Sequence, residues 1–193
     1  MAVEASLPPI SVHRFSLEEY HQLVASGGLR EDSHVELIEG VIADMSPKTP
    51  AHEKAIRWLA QWLLLGVDLE DFEVGVRNPL TLETSEPEPD LMVLRRDAPH
   101  PHHPGTAALV IEVAVSSQIR DLRIKPPLYA RAEVTEYWVV DLDGHRVVVH
   151  RQPRAGLYAE VSEVPADAQI TAQTLSLPVL SVAELLAGAG ARR

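Results

Sequence analysis

The sequence predicts an α/β fold, and three observations lead to this class. Uninterrupted apolar runs at residues 91–94 and 107–115 are typical of central β-strands buried on both faces. Apolar residues three and four positions apart predict an amphipathic helix over residues 51–67, beginning just after Pro50. The length of 193 residues allows one substantial core and is short for two.

Local signals predict a helix and a hairpin before the long helix. Ser16 and Glu19 match a capping box, so a helix begins there and ends at the glycines of residues 27–28. Residues 35–45 alternate apolar and polar side chains around residues 39–40, which predicts a β-hairpin.

The second half of the chain predicts further strands and two helices. A helix is expected over residues 122–132, with an irregular start because Pro126 and Pro127 fall in its first turns. Short apolar or alternating segments predict strands at residues 72–77, 80–83, 136–141, 146–151 and 157–164, and a last short helix at 182–187. We expect a flexible arm over residues 1–13 and one domain over residues 14–193.

Composition restricts the classes of function. The net charge is −11, so any nucleic-acid contact must be local, assisted by metal or made by a dimer with a focused basic cleft. Zero cysteines exclude disulfides and thiolate metal sites. No run approaches the ~18 apolar residues that span a bilayer, and no signal-peptide pattern begins the chain, so we expect a cytoplasmic protein without a membrane partner.

Two carboxylates lie where carboxylates are rarely buried without a partner or a cation. Asp90 precedes one predicted central strand, and Glu112 lies inside the next. Such oxygen ligands suit a hard divalent cation, and the backbone carbonyl of Val113 offers a third. Lys125 follows on the predicted helix and can return over the sheet, while Glu36 in the hairpin can point the same way.

The ordered segments of this chain resemble a known family. Pro89-Asp90 followed at a distance by Glu112 resembles the PD-(D/E)XK nuclease superfamily, and the whole series resembles its small Uma-type branch of restriction-endonuclease-like proteins. The series covers roughly residues 15–151 and reads HVELIEGVI, a helix carrying His52, PEPDLMVL, VIEVAVSS, RDLRIKPPLYA and TEYWVVD.

The resemblance implies a restriction-endonuclease-like core with a mixed central sheet flanked by helices. It also implies Mg2+ or Mn2+ as cofactor, a nucleic-acid substrate with DNA favoured, and often a homodimer. Asp90 and Glu112 would ligate the metal, Lys125 would be the catalytic lysine and Glu36 a supporting acid. One position departs from the superfamily pattern: Ala114 stands where a lysine is expected two residues after the second acid.

Each candidate also has a structural interpretation. Asp90 can simply cap a turn, Lys125 can be a solvated helix lysine, and Glu36 can pair with Arg30 or Lys48. His52 is predicted as a first-turn polar residue. The histidines at residues 100, 102 and 103 lie in a proline-flanked loop and are predicted not to bind a physiological metal.

The sequence thus predicts an endonuclease that hydrolyses phosphodiester bonds with Mg2+ or Mn2+, using Asp90, Glu112, Lys125 and Glu36. The alternative is a catalytically silent protein of the same fold that binds nucleic acid or a protein partner. The two hypotheses separate at Ala114 and Pro126, because both depend on whether Lys125 reaches the two acids.

Overall fold

The computed structural model describes residues 12–30, 32–97 and 103–190. Most of the arm predicted over residues 1–13, and the histidines at 100 and 102, therefore lie outside the described residues. Among the helices described, none is long and apolar enough to cross a membrane. In chain order the elements are α1 (Leu17–Ala25), β1 (Val35–Ile38), β2 (Val41–Asp44), α2 (Pro50–Gly66), β3 (Phe72–Val76), β4 (Leu91–Arg95), β5 (Leu109–Ala114), a π-helical turn (Arg120–Ile124), α3 (Lys125–Arg131), β6 (Glu136–Asp141), β7 (Arg146–Arg154), β8 (Leu157–Pro165), β9 (Gln169–Ile170), β10 (Leu180–Ser181) and α4 (Val182–Ala189).

A six-stranded mixed sheet forms the centre of the fold, which confirms the predicted class. The strands follow the order β3-β4-β5-β6-β7-β8. Within this sheet β5 and β6 run parallel, and the other four pairs of neighbouring strands are antiparallel. A parallel pair needs a crossover connection, and here the connection contains the π-helical turn and α3.

The helix ends follow the local signals in the sequence. Ser16 and Glu19 form the predicted capping box of α1, and Gly27, at φ +73°, follows its end. Thr49 caps α2 by accepting a hydrogen bond from the backbone amide of His52. The helix α2 begins at Pro50, one residue earlier than predicted. A proline is tolerated at the first helical position because its missing N–H would have no helical partner there.

The strand predicted at residues 80–83 is wrong. This segment is a loop in which Leu80 N donates to Pro87 O and Leu82 N donates to Ser85 O. Both leucine side chains are nevertheless buried, so the apolar pattern reflects packing under a loop and not a strand. Three residues after this segment, Glu86 forms an isolated β-bridge with Leu37 of β1.

The core has two apolar layers, one on each face of the sheet. Successive side chains of a strand point to opposite faces, so β5 contributes to both layers. Leu109, Ile111 and Val113 pack with the layer that includes α2 and α4. Val110 and Ala114 pack with the layer that includes α3. Glu112, between them in this alternation, lies on the α3 face.

The β1–β2 hairpin turns through Glu39 and Gly40, as predicted, with φ of +48° and +73°. A Cβ atom on Gly40 would lie 2.7 Å from the Arg14 Cβ, so the turn requires glycine for both conformation and space. The hairpin is fixed to the loop before β4 by the pairing of Leu37 with Glu86. This arrangement buries Glu36, which is 2% exposed.

His150 of β7 gives a testable dependence of stability on pH. Burial lowers the pKa of His150, and its Nδ1 lies 3.3 Å from the Tyr137 carbonyl oxygen. The unfolded chain therefore binds a proton at a higher pH than the folded chain, and stability is lost as pH falls below the unfolded value of about 6.5.

We expect His150→Phe to reduce this loss. The difference in unfolding free energy between wild type and variant should change by at most about 1.4 kcal/mol per pH unit. Urea unfolding between neutral and mildly acidic pH measures it, with His103→Phe at an exposed position as the control. Parallel pH profiles for wild type and His150→Phe would contradict the assignment.

Candidate active site

Asp90 and Glu112 face each other across two neighbouring strands. The β4–β5 register pairs Leu91 with Ile111, so one further antiparallel step sets Asp90 opposite Glu112. Because Asp90 comes just before β4, its backbone amide is free to donate to Glu112 Oε2, at 3.3 Å. In return, Val113 N donates to Asp90 Oδ2 at 2.9 Å. The strand register therefore brings both predicted acids to one place.

Glu112 is buried and receives two further hydrogen bonds on its other oxygen. Lys125 Nζ donates to Glu112 Oε1 at 2.7 Å, and Tyr129 Oη donates to the same atom at 3.0 Å. Lys125 and Tyr129 are four residues apart and therefore share one face of α3. The helix that covers the sheet thus holds the carboxylate at two points.

Lys125 is buried among three carboxylates, with 4% of its surface exposed. Its Nζ lies 3.1 Å from Glu36 Oε2 and 3.8 Å from Asp121 Oδ1, besides the contact with Glu112. Burial alone would lower the pKa of Lys125, but the charges of Glu112, Glu36 and Asp121 raise it above its usual value. The lysine is therefore a fixed cation at neutral pH.

The prolines after Lys125 do not move it away from the acids. The wider π-helical turn of Arg120–Ile124 ends at Lys125, and Pro126 follows within the first turns of α3, where a missing amide costs little. Ala114 lies on the same face of β5 as Glu112, with its side chain fully buried. The ammonium beside Glu112 therefore comes from Lys125 of α3, and not from position 114 of β5.

The pKa values of the buried acids reflect their crowding. Burial raises the pKa of Glu112 to about 8, although Lys125 counteracts it, and the charges of Asp121 and Asp90 add to the increase. Burial also raises the pKa of Asp121, against the effects of Lys125 and of the Ser117 hydroxyl, which donates to it. Extra positive charge in this pocket would stabilise both carboxylates.

Glu36 pairs with neither of the partners considered from sequence. Arg30 pairs with Asp32 instead. Glu36 Oε1 accepts from Arg120 at 2.9 Å, and Glu36 Oε2 contacts Lys125 and accepts from Glu88 N at 3.3 Å. The hairpin acid is thereby tied to the crossover segment.

His52 is more than a first-turn polar residue. Its Nε2 lies 3.1 Å from Asp90 Oδ2, which makes the start of α2 a third wall of the site. The His52 Nδ1 is buried and has no hydrogen-bond partner among the described residues. Together with Val113 N, His52 fixes one oxygen of Asp90, while the other oxygen, Oδ1, accepts no hydrogen bond from the described part of the chain.

Arg77 enters the site from the end of β3 in an uncommon backbone conformation. Its φ is +53°, in the left-handed region that residues with side chains rarely adopt, and its backbone amide donates to Asp90 O at 3.2 Å. The guanidinium pairs with Glu53, but Nε is buried without a partner in the described residues. The pocket thus contains an arginine with one unused hydrogen-bond donor.

These side chains line one small pocket of about 50 Å³. Its charged residues are nearly balanced, although the whole chain has 17 Lys and Arg against 28 Asp and Glu. The cations lining it are Lys48, Arg77, Arg120 and Lys125, and the acids are Glu36, Glu88, Asp90, Glu112 and Asp121. A divalent cation would give this pocket a net positive charge.

The pocket's oxygen donors fit a small divalent cation. Asp90 Oδ1 is free of hydrogen bonds to described residues, and Glu112 Oε2 has only the 3.3 Å contact with Asp90 N. No three His, Asp or Glu side chains within residues 12–30, 32–97 and 103–190 are grouped to hold a metal by themselves. Mg2+ accepts such a set, because it binds through one or two carboxylates and keeps several waters.

A family comparison matches residues 17–183 with Uma2, described as "Putative restriction endonuclease". The chain belongs to the Uma2 family. The match covers every element from α1 to the start of α4, including all residues of the pocket. No curated protein matches the sequence.

Comparison with solved structures identifies proteins of similar fold. A putative nuclease belonging to DUF820 from Anabaena variabilis superimposes with a TM-score of 0.73 at 17% identity, over 91% of this chain and 99% of that one. The type IIG restriction endonuclease BpuSI aligns with a TM-score of 0.41 at 13% identity, over 75% of this chain and 17% of its own. The first similarity confirms the restriction-endonuclease-like fold for this member of the Uma2 family.

The structure brings Asp90, Glu112, Lys125 and Glu36 into one pocket, with Val113 beside them. Sequence reasoning did not find the partners that hold them, namely Asp121, Tyr129, Arg120, Arg77 and the contact of His52 with Asp90. For Asp121 and Tyr129 a signal existed, since each lies four residues from Lys125. Arg77 and His52 come from segments distant in sequence, and no local pattern indicated them.

The buried lysine should be essential for stability. Lys125→Met keeps the apolar stem but leaves Glu36, Glu112 and Asp121 without their shared cation, so the unfolding free energy at neutral pH should fall by about 3 kcal/mol. Urea unfolding measures it, with Lys54→Met at an exposed position of α2 as the control.

The deficit in Lys125→Met should shrink as pH falls. The raised pKa of Glu112 means that the folded chain binds more protons than the unfolded chain above about pH 4.5, so acidification favours folding through this group. Removing the ammonium strengthens that effect. A deficit that stays constant between pH 8 and 6, in the urea series, would show lost packing and not lost charge.

Proposed function

We propose that this protein is a metal-dependent nuclease that hydrolyses phosphodiester bonds of nucleic acid, with DNA the favoured substrate. One observation carries the proposal: a buried lysine, Lys125, lies 2.7 Å from Glu112 in the same pocket as Asp90. Two carboxylates can hold a catalytic divalent metal, and an ammonium can stabilise the charge that develops on the phosphoryl oxygens. Membership of the Uma2 family and the fold shared with the putative nuclease from Anabaena variabilis support the same class of activity.

Asp90, Glu112 and the carbonyl of Val113 would hold Mg2+ or Mn2+. When bound, the metal polarises a phosphoryl oxygen and makes a bound water more acidic. Asp90 Oδ1 and Glu112 Oε2 are the oxygens left for it by the hydrogen bonds of His52, Val113, Lys125 and Tyr129.

Lys125 would act through its fixed positive charge. A buried ammonium that needs no reorganisation can stabilise the negative charge that develops on the phosphoryl oxygens. Glu36 and Asp121 position that ammonium, and Arg120 holds Glu36 in place through a 2.9 Å contact. Tyr129 orients Glu112 without competing for Oε2.

Local charge would compensate for the acidic chain. Lys48 and Arg77 line the pocket and would contact phosphates of the substrate. A homodimer, as predicted from the family resemblance, would double this limited basic surface. The homodimer and a cytoplasmic location remain part of the proposal.

The first test is metal binding. Wild type should bind Mn2+ with micromolar to millimolar affinity, and Asp90→Asn or Glu112→Gln should weaken binding at least tenfold, about 1.4 kcal/mol, because each removes one charged ligand. Isothermal calorimetry measures this, with Asp143→Asn in an exposed turn as the matched control. Equal affinity in wild type and Asp90→Asn would exclude Asp90 as a ligand.

The second test is cleavage. With Mg2+ or Mn2+ at low salt, wild type should nick supercoiled plasmid or degrade single-stranded nucleic acid. Lys125→Ala should be slower by about two orders of magnitude, as is common when one group that stabilises the transition state is removed. Binding should weaken much less, because one lysine supplies a fraction of the phosphate contacts.

Lys54→Ala serves as the matched control and should cleave as fast as wild type. A Lys125→Ala protein that is folded at the assay temperature and equally fast would show that Lys125 does not stabilise the transition state. Absence of cleavage by wild type with either metal, on both DNA and RNA, would favour the alternative of a catalytically silent binding protein.

A further inference from the structure

A second pocket lies beside the candidate active site. It has a volume of about 430 Å³ and runs between α1 and the segment that precedes β4. Glu88 lines both pockets, so the two are adjacent. None of the residues predicted from the sequence to be catalytic lies in this second pocket, which we call the α1 pocket.

Two polar atoms of the α1 pocket have no hydrogen-bond partner among the described residues. Tyr20 is 8% exposed as a whole residue, and its hydroxyl makes no hydrogen bond within that part of the chain. The hydroxyl is not one of the fully buried unpartnered atoms, so it is accessible to solvent. Burial, followed by the charges of Glu86 and Glu88, raises the pKa of Tyr20. The hydroxyl therefore stays protonated and can donate a hydrogen bond.

Glu86 supplies the second free atom, and its carboxylate is held in a fixed orientation. His21 Nε2 lies 2.8 Å from Glu86 Oε2, and Thr81 Oγ1 donates to the same oxygen at 2.8 Å. Glu86 Oε1 accepts no hydrogen bond from the described chain, although Glu86 is only 8% exposed. The pocket therefore presents one oriented acceptor and one hydroxyl donor.

The rest of the lining restricts the ligand. Val24, Ala25, Val35 and Pro79 form an apolar wall, and the described lining includes no lysine or arginine. A phosphate would meet Glu86 and Glu88 without a cation and would be repelled. The apolar wall, the Glu86 carboxylate and the Tyr20 hydroxyl instead suit an uncharged group that carries an N–H donor and an acceptor.

We propose that the α1 pocket binds an unpaired nucleobase of the substrate, with preference for a base that carries an exocyclic amino group. This inference rests on the proposed function and names the part of the substrate that lies outside the metal site. Glu86 Oε1 would accept from the amino group, as carboxylates do from cytosine, and the Tyr20 hydroxyl would donate to a neighbouring ring or carbonyl acceptor. The apolar wall would contact the face of the base.

The positions of the two pockets suit one stretch of nucleic acid. Glu86 and Asp90 are four residues apart, so they are separated by at most ~14 Å of extended chain. A strand whose phosphate lies beside Asp90 can therefore place a neighbouring base against Glu86. The base must be unpaired to enter, so single strands or locally opened duplexes are the expected substrates.

The test measures binding without metal, so its result does not depend on whether the protein cleaves. The probes are short, fluorescently labelled single-stranded DNAs of cytidine, of thymidine and of abasic sugar-phosphate, at low salt. Wild type should bind the cytidine strand about tenfold more tightly than the abasic strand, since one bound base commonly contributes that much. The thymidine strand should lie between them.

Three variants examine the pocket itself. Val24→Trp should fill the pocket and abolish the advantage of the cytidine strand over the abasic strand, whereas Leu65→Trp, at a 79% exposed position of α2, should keep it. Glu86→Gln should remove the preference for cytidine over thymidine. Tyr20→Phe should weaken binding of both base-carrying strands and leave the abasic strand unchanged.

Two results would overturn the proposal. One is equal affinity of wild type for the cytidine and abasic strands; the other is an unchanged cytidine advantage in Val24→Trp. A lysine-rich peptide that competes for the wild type but not for Val24→Trp would likewise replace the nucleobase with a cationic side chain as occupant. If the base preference holds while no cleavage is found, the nuclease proposal fails and the base-binding pocket stands.

Discussion

The contact of Lys125 with Glu112 is the interaction on which the rest of the candidate site depends. Its ammonium lies among Glu112, Glu36 and Asp121, which come from a central strand, the hairpin and the π-helical turn. Without that cation, three carboxylates would be buried close together, an arrangement that costs several kcal/mol. The same charge that permits the acids to be buried is the one we propose to act on the phosphodiester.

The fold serves this contact at several levels. The β4–β5 register sets Asp90 opposite Glu112, and the parallel β5–β6 pair requires a crossover that returns α3 over the same face. The π-helical turn then delivers Lys125 at the start of α3, with Tyr129 one turn later on the same side. Acids crowded in this way destabilise the protein when no cation neutralises them, which agrees with the active site that we propose.

Much of this was predictable from sequence, and the limits have physical causes. The capping box of α1, the Glu39–Gly40 turn and the central strands follow from local rules, so they were predicted correctly. Burial of a strand carboxylate does not by itself indicate function: Glu136 is 1% exposed but is fully engaged by Arg151 and by backbone amides of residues 173–174. Only the three-dimensional partners separate Glu136, which ties a loop to the sheet, from Glu112. The roles of His52 and of Arg77 depend on contacts 38 and 24 residues away, which no local pattern contains.

Anomalous scattering at the manganese edge, from crystals of the protein soaked with Mn2+, would show whether Asp90 and Glu112 bind a metal. The site assignment predicts one peak between the two carboxylates, with Lys125 still in contact with Glu112. A peak at the histidine loop, or no peak in crystals that diffract well and contain Mn2+ in excess, would contradict it.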